Sequence, residues 1–593
     1  MAPSAIHDYA LVGDGETAAL IARDGSVDFL CWPRFDSGAC FCAILGDERN
    51  GCWRIAPEIR PTRTRRRYRG DTLVLETTFE TVAGAVRLTD FMPMRDHHSS
   101  LVRIVEGIQG QVSMCLDLRL RFDYGFMPPW ARCESGVLVA DVGPDMVAFR
   151  SPIPIDINHA DAAVSARFQL SAGQRHAFIL SYGDSTGARP PPFDAEVALA
   201  ATLKAWEAWI ARFDKPCRWP EPVKRSLITI RALIHQKTGG LLAAPTLGLP
   251  EVPGGALNWD YRYCWLRDAT FTLTALLNAG YKKEAQEWRD WILRAIAARP
   301  DRMQIVYRLD GSRRLSEWDV KWLAGYESSK PVLVGNGAAE QFQLDSYGEL
   351  LDSMHVAASG GIERIQRGIE VETALVQHLE SVWDKPSSDI WESRGTLCCY
   401  TYSQAMAWVG VSQFLKGART RGKAGDEMIG RLEVLRRTIH DTVCERGYDR
   451  ARGHFVARYG GAELDASLLL LPIVGFLPAD DPRVGGTIAA IERELMDGGL
   501  VRRKRALHDG HDEGAFLVCS CWLADCLGKQ GRNEEARAML ERVIGLSNDV
   551  GLLSEEYDVP TGRLIGNFPQ ALTHLGVINT ALGLSGPVLQ RGA

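Results

Sequence analysis

The chain of 593 residues is 46% hydrophobic and 24% charged, which is typical of a globular protein and excludes long disordered tracts. Its 68 basic and 74 acidic side chains give a net charge of −6, so nothing favours nucleic acid or an anionic membrane as a partner. No run approaches the roughly 18 apolar residues that span a bilayer, and the first residues lack a secretory signal. We therefore expect a cytoplasmic protein with no nucleic-acid or membrane partner.

The first 190 residues are predicted to form strands. Asp24-Gly25 joins two apolar runs and is a hairpin signal, and Ala83-Gly84 lies near the turn of a second alternating stretch. Short alternating segments with frequent turns are typical of a β-sandwich. We predict an antiparallel β-sandwich domain over residues 1–190.

The composition changes after a Pro/Gly-rich connector, GDSTGARPPPFDAE. The next segment has helical periodicity, and we assign residues 191–235 to a linker that contains a helix. Apolar spacing is helical almost throughout residues 236–593, with no fixed repeat of solenoid type. Short helices joined by loops over that length favour a closed helical toroid.

The loop GALNWDYRYCWLRDATF breaks the helical pattern with alternating aromatic residues. Tyr261 and Trp265 are two of them, and the charged pair Arg267-Asp268 follows just before a helix. Pyranose faces stack on aromatic rings, and sugar hydroxyls bind charged partners, so the loop is a candidate sugar site. Packing around a satisfied salt bridge would give the same pattern.

Two further loops carry candidate catalytic carboxyls. Glu392 follows Trp391, and a carboxyl in a poorly solvated place beside an indole keeps its proton near neutral pH, as a general acid requires. Glu555 and Glu556 lie before a turn and a new helix, where one carboxylate would deprotonate a water. The alternatives are a surface glutamate favoured by a helix dipole and a solvated acidic turn.

Other polar segments carry weaker signals. The 14 cysteines contain no CxxC pair, and we interpret them as buried thiols of a reducing cytosol. HDGHDEG at 508–514 is interpreted as a polar loop rather than a metal site, and RRKRA at 502–506 as a solvated basic run. We predict no metal and no cofactor.

Several of these segments resemble inverting glycoside hydrolase family 15. The motifs are YRYCWLRDA, WESRG and LLSEEYD followed by GNFPQALTHLGVINTA, and the opening IHDYALVGDGETAALIARDGSVDFLCWPRFDS is similar to the bacterial branch of the family. The resemblance covers nearly the whole chain. It implies a multidomain fold, with the N-terminal antiparallel β-sandwich followed by an all-α (α/α)6 barrel.

The resemblance also implies roles for single residues. By motif position, Glu392 matches the catalytic acid and Glu555 the catalytic base. Ser393 stands where fungal glucoamylases carry a second acid, which indicates a different binding site for the leaving group. The residues that match positions around the terminal glucose are Arg267, Asp268, Tyr261, Trp265, Trp391 and, where the fungal enzymes have a tryptophan, His574.

The expected function is therefore hydrolysis of a small α-glucoside from its non-reducing end, with inversion to β-glucose. Trehalose ranks first as substrate, because relatives of similar length include trehalases and no starch-binding module is visible. A glucoamylase-like enzyme on malto- or isomalto-oligosaccharides ranks second. A disaccharide phosphorylase ranks lower because an acid at Glu555 would repel phosphate, and an inactive sugar-binding protein ranks last.

Overall fold

The computed structural model describes residues 3–158, 161–297, 299–421, 425–505, 513–589 and 591. The N-terminal part of the chain is an antiparallel β structure with three 3-10 turns and one short helical segment, α1 (Phe122–Gly125). Its strands are β1 (Tyr9–Gly13), β2 (Ala18–Ala22), β3 (Ser26–Cys31), β4 (Ala39–Phe41), β5 (Cys52–Pro57), β6 (Arg63–Tyr68), β7 (Leu75–Thr81), β8 (Gly84–Phe91), β9 (Ser100–Arg119), β10 (Trp130–Glu134), β11 (Val137–Val142), β12 (Asp145–Arg150), β13 (Asp156–Asn158), β14 (Ala163–Ser171) and β15 (Arg175–Asp184).

The long strand β9 belongs to two sheets. Its first half pairs with β8 and β15, and its second half pairs with β5 and β14. The change of partner occurs around Gly110, whose φ of +67° lies in the region that favours glycine. The sheets pack face to face through large side chains, such as Trp53 of β5 against Phe149 of β12 with ring centroids 5.6 Å apart. This arrangement buries apolar faces of both sheets and forms the predicted sandwich.

The rest of the chain is mainly helical. Asp194 caps the linker helix by accepting bonds from the backbone N–H groups of Glu196 and Val197. The helices are α2 (Ala195–Ile210), α3 (Pro220–Leu233), α4 (Ala269–Asn278), α5 (Lys282–Ala295), α6 (Asp345–Ser359), α7 (Gln366–Val382), α8 (Thr401–Arg421), α9 (Asp426–Arg446), α10 (Leu470–Ile473), α11 (Pro482–Glu494), α12 (Leu517–Lys529), α13 (Asn533–Ile544) and α14 (Ala571–Ser585). None of the described helices is long and apolar enough to cross a membrane.

The helices form two concentric rings. Within the described residues the inner ring runs α4, α6, α8, α10 with its preceding turn, α12 and α14, and it closes because α14 packs on α4. Helices α5, α7, α9, α11 and α13 alternate with these along the chain and lie outside them. The fold is therefore the predicted (α/α)6 barrel.

Helix α3 also belongs to the outer ring. It packs on α14, and its residues Val223, Leu227 and Ile230 are fully buried. The helices of the barrel thus begin at Pro220, before the predicted domain start at 236, because the apolar face of α3 needs α14 to cover it.

The loops that lead from an outer to an inner helix all open at one end of the barrel. Several contain short strands: β16 (Cys264–Trp265), β17 (Val306–Tyr307), β18 (Trp318–Asp319), β19 (Leu333–Val334), β20 (Tyr448–Asp449), β21 (His454–Phe455), β22 (Met496–Asp497), β23 (Leu500–Val501), β24 (Ala515–Phe516), β25 (Glu556–Asp558) and β26 (Arg563–Ile565). The candidate catalytic residues lie in these loops, each shortly before an inner helix begins.

The sandwich supports one of these loops directly. The guanidinium of Arg262 is fully buried and is bonded to Asp260 of the same loop. It also donates to two groups of the sandwich, the carbonyl of Ser37 at 2.7 Å and the hydroxyl of Tyr124 at 2.9 Å. Asp260 also accepts a bond from the N–H of Gly335 at 3.1 Å. The aromatic loop is therefore fixed between the two domains.

Candidate active site

A cavity of about 310 Å³ opens at the mouth of the barrel. Its walls come from four outer-to-inner loops, within residues 251–265, 336–338 and 391–394 and at residues 503, 504 and 513. Tyr261, Trp265, Trp391 and Glu392 line it, as expected from the sequence. The cavity is therefore built from loops that are far apart in the chain and meet only because the barrel closes.

Glu392 lies in a tight turn that the surrounding side chains hold. Its backbone has a φ of +57°, an uncommon conformation for a residue with a Cβ. Asp389 fixes the turn by accepting bonds from the backbone N–H of Ser393 at 2.8 Å and from its hydroxyl at 2.7 Å. One N–H of Arg267 donates to Oε1 of Glu392 at 2.8 Å.

The surroundings of Glu392 favour its protonated form. Burial raises the pKa of Glu392 to about 7, against the opposing effect of the Arg267 cation, and the nearby charges of Asp389 and Asp268 raise it further. A carboxyl with this pKa still carries its proton over much of the range below neutral pH. Glu392 can therefore donate a proton to a leaving group.

Glu555 is held by neutral donors. Its Oε1 accepts a bond from the hydroxyl of Tyr261 at 2.6 Å and another from the side-chain amide of Gln570 at 3.1 Å. Its Oε2 has no hydrogen-bond partner among the described residues. Burial and the charge of Glu251 raise the pKa of Glu555, whereas Arg503 and the Tyr261 hydroxyl lower it. One oxygen is thus held in position, and the net effect of the surroundings raises the pKa of the carboxyl to about 8.

The backbone beside Glu555 requires a glycine. Gly566 has a φ of +74°, and a Cβ at this position would lie 2.7 Å from Oε2 of Glu555. Any other residue would both strain the backbone and collide with the carboxyl group. Gly566 therefore provides the space in which Glu555 is packed.

Arg267 and Asp268 form an ion pair at the start of α4, beside Glu392. The Arg267 Nε lies 2.8 Å from Oδ1 of Asp268, and its Nη1 also donates to the carbonyl of Ile390 at 3.1 Å. The rings of Tyr261 and Trp265 meet edge to face at 5.4 Å. Of these four predicted sugar-binding residues, Tyr261 and Trp265 line the cavity, and the ion pair lies next to it through the bond from Arg267 to Glu392.

His574 is placed elsewhere. It is fully buried, its Nε2 accepts the backbone N–H of Leu553 at 3.2 Å, and its Nδ1 lies 3.0 Å from the hydroxyl of Ser226. Burial lowers the pKa of His574 to about 3, so the ring is neutral. The structure therefore corrects its expected place beside the sugar: His574 supports the loop of Glu555 from behind.

Arg503 lines the cavity although the sequence pattern suggested a solvated basic run. Its Nη2 lies 2.5 Å from Glu251, 2.7 Å from Glu513 and 3.5 Å from Glu556, and its guanidinium is 5.6 Å from the ring of Trp391. The basic run lies shortly before α12, as Arg267 lies shortly before α4. This position before an inner helix is the feature of the sequence from which a place in the cavity could have been predicted.

The same three carboxylates are close enough together to suggest a cation site, since their oxygens lie within 4.8 Å of one another. Arg503 already lies against all of them and supplies positive charge there. The residues therefore fit an arginine-centred cluster better than a metal ion. The other candidate ligands of that region, His508, His511 and Asp512, lie outside the described residues.

Residues 221–582 match the model of glycosyl hydrolases family 15, and residues 1–196 match a trehalase-like N-terminal domain. The chain belongs to glycosyl hydrolase family 15. It is therefore a glycoside hydrolase, with the β-sandwich and barrel of its relatives.

Among curated relatives of this family, a trehalase of Thermoplasma volcanium is 33% identical over 99% of this chain and 94% of its own length. A trehalase of Mycolicibacterium smegmatis is 35% identical over 97% of this chain and 91% of its own length. An isomaltose glucohydrolase of Kribbella flavida is 29% identical over 54% of this chain and 79% of its own length.

A solved structure of a bacterial glucoamylase complexed with acarbose has the same fold. It covers 99% of this chain and 95% of its own with a TM-score of 0.74, at 12% sequence identity. At that identity the likeness extends to the architecture, so it supports the sandwich-and-barrel fold of this family 15 enzyme.

Proposed function

We propose that this enzyme hydrolyses trehalose to two molecules of glucose, with inversion at the attacked carbon. The observation that carries the proposal is the presence of two carboxyls beside one cavity, since Glu392 lines it and Glu555 is bonded to Tyr261, which also lines it. Glu392 has a pKa raised to about 7, and Glu555 has one oxygen bonded to Tyr261 and the other unpaired among the described residues. An acid and a base of this kind are what inverting hydrolysis needs.

In the proposed reaction one glucose unit lies at the closed end, where Arg267 and Asp268 bind its hydroxyls. Glu392 protonates the glycosidic oxygen as the C–O bond breaks. Glu555 takes a proton from a water that attacks the anomeric carbon from the opposite face. This geometry requires carboxyl groups about 6.5–9.5 Å apart. In this scheme the oxygen of Tyr261 stabilises the positive charge of the transition state electrostatically.

The cavity beside Glu392 has room for a small substrate. Its volume is about 310 Å³, and on the side of Arg503 and Lys504 it adjoins a further cavity of about 690 Å³. At its rim the Arg394 guanidinium lies 4.5 Å from the Trp259 ring and 2.5 Å from Glu317. The relatives that match the full length of this chain are trehalases, which favours trehalose over longer glucans.

Product stereochemistry tests the mechanism and the substrate together. Inversion at one carbon of trehalose gives one β-glucose, and the departing sugar keeps its α configuration. Proton NMR in the first minutes should therefore show the two anomers in equal amounts, before mutarotation. Formation of α-glucose alone would reject inversion, and no reaction with trehalose would reject the substrate.

The second candidate is a glucosidase that acts on malto- or isomalto-oligosaccharides. It is favoured by the isomaltose glucohydrolase relative, although that match covers only 54% of this chain. Incubation with trehalose, maltose, isomaltose and soluble starch, each followed by a glucose assay, separates the two. A parallel series with added phosphate would reveal a phosphorylase through formation of glucose 1-phosphate.

We further propose that the enzyme works in the cytoplasm. All 14 cysteines are free thiols. Disulfides persist in oxidising compartments, so unpaired thiols in this number support a reducing one. Fractionation of cells with an activity assay on trehalose tests this location.

A further inference from the structure

The cavity has two unlike ends. The closed end holds Tyr261 and Trp265. Arg267 lies next to it through its bond to Glu392, and its side chain is only 12% exposed. The open end holds Ser393, beside Arg394 and Lys504, whose side chains are 50% and 45% exposed. Glu392 lies between the two sets. If the closed end binds the glucose that is attacked, the sugar that departs must lie at the open end.

The ammonium of Lys504 is fixed at this open end. Its Nζ donates to Oδ2 of Asp389 at 2.8 Å and to the hydroxyl of Ser393 at 3.0 Å. The backbone of Lys504 forms a β-bridge with Asp465, whose carboxylate accepts the indole N–H of Trp391. The side chain is therefore tied to the same loop that carries the catalytic acid.

One donor of Lys504 stays available. An ammonium group has three N–H donors, and residues within the described chain take two of them. Asp389 is 3% exposed and remains ionised, because Lys504 and Ser393 lower its pKa against the effect of burial. A charged donor held in place by a buried carboxylate loses little freedom when it binds a hydroxyl, which makes it an effective specificity group.

We propose that Lys504 is a specificity-determining residue that donates a hydrogen bond to a hydroxyl of the departing sugar, with Asp389 and Ser393 as its positioning residues. The proposal rests on the proposed function, because it assumes that a sugar leaves from the open end. It assigns a use to the position where Ser393 replaces the second acid of fungal glucoamylases. The hydroxyl of Ser393 accepts a hydrogen bond from the ammonium of Lys504. Because the hydroxyl is neutral, it does not compete with Asp389 for the positive charge of Lys504.

The test compares two substrates that need the acid equally. Trehalose releases a sugar, whereas methyl α-glucoside releases an alcohol that also needs protonation but carries no further hydroxyl. In Lys504→Met we expect kcat/KM for trehalose to fall by about ten- to a hundredfold, as for loss of a charged hydrogen bond, with a change below about threefold for methyl α-glucoside. Equal losses on both substrates would mean that Lys504 acts through Glu392, and no loss on trehalose would mean that it binds nothing there; either result overturns the proposal.

Four further variants sharpen the comparison. Lys504→Arg keeps a charged donor and should retain part of the trehalose activity. If Lys504→Met disturbs folding, Lys504→Gln takes its place and should show the same loss of selectivity. Asp268→Asn at the closed end should reduce kcat/KM for both substrates. Lys385→Met, at an exposed lysine outside the cavity, should change neither.

Assays of the wild-type enzyme distinguish a failure of this proposal from a failure of the proposed function. If it hydrolyses maltose or isomaltose but not trehalose, the trehalase assignment fails, and the same Lys504 comparison is made with the disaccharide that it accepts. Thermal unfolding midpoints of each variant confirm that the compared proteins are folded.

Discussion

The loops of Glu392 and Glu555 share a position in the fold but hold their carboxyl groups in opposite ways. Each precedes an inner helix, α8 for Glu392 and α14 for Glu555. Glu392 is bonded to the cation of Arg267 and nevertheless has a pKa raised to about 7 by burial. Within the part of the chain that the structure describes, the side chain of Glu555 accepts bonds from the neutral groups of Tyr261 and Gln570.

The two carboxyl groups differ in what holds them in place, and burial raises the pKa of both. For Glu392 the desolvation of the carboxylate outweighs the attraction of Arg267. For Glu555 burial and the charge of Glu251 raise the pKa to about 8, and neutral donors orient one oxygen. The proposed roles of acid and base therefore rest on the placement of the two groups and not on a lowered pKa of Glu555.

The largest expected effect comes from removing the acid. Glu392→Gln should lower kcat on trehalose by about 10³- to 10⁴-fold, because the leaving oxygen then departs without a proton. The same variant should retain much more activity on α-glucosyl fluoride, whose leaving group needs no protonation. Steady-state rates on both substrates check this, with Glu340→Gln at an exposed site as control. Near-normal hydrolysis of trehalose by Glu392→Gln would remove it from the acid role.

Removing the base should be nearly as severe. Glu555→Gln should lower kcat by about 10³-fold on trehalose and on α-glucosyl fluoride alike, since both reactions need an activated water. Asp558→Asn, in the same loop, should stay close to wild type because its carboxylate bonds to the turn residue Thr561. If Glu556→Gln abolished activity while Glu555→Gln remained active, the base would have to be reassigned to the neighbouring acid.

A smaller effect follows from the hydroxyl that orients the base. Tyr261→Phe should lower kcat/KM by about tenfold through loss of a hydrogen bond to a charged group. That bond lowers the pKa of Glu555, so its loss raises the pKa. The limb of the kcat/KM profile that reports Glu555 should then move up by about one pH unit. The limb that reports Glu392 should stay near its wild-type position; a shift of both limbs would contradict separate control of the two groups.

The smallest effect on catalysis is expected at His574. His574→Leu should reduce the free energy of unfolding by about 1–3 kcal/mol, because Leu553 and Ser226 lose their buried partner. The depressed pKa of His574 means that its contribution is fully present above about pH 6.5 and is lost as the pH falls toward 3. Denaturant titrations at pH 7 and pH 5 measure this. An unchanged stability with a raised KM for trehalose would instead return His574 to the sugar site.

The sequence predicted the two-domain fold because composition and periodicity change together near residue 190. It also singled out Glu392, Glu555 and Arg267 through local motifs that the barrel brings together. Sequence alone did not predict that Arg503 would enter the cavity, since a run of basic residues is equally typical of a solvated surface. His574 was misplaced because a motif gives the position of a residue along a helix, whereas its burial depends on what packs against that helix.

The anchoring of Arg262 makes the pocket a shared product of both domains. The aromatic loop is hydrogen-bonded through Arg262 to a backbone carbonyl and a tyrosine hydroxyl of the sandwich. The barrel by itself would lack this support. Substitutions in the sandwich near Ser37 and Tyr124 are thus expected to shift the position of Tyr261, although no residue of the barrel is changed. The N-terminal domain therefore helps to fix the position of a loop that lines the cavity.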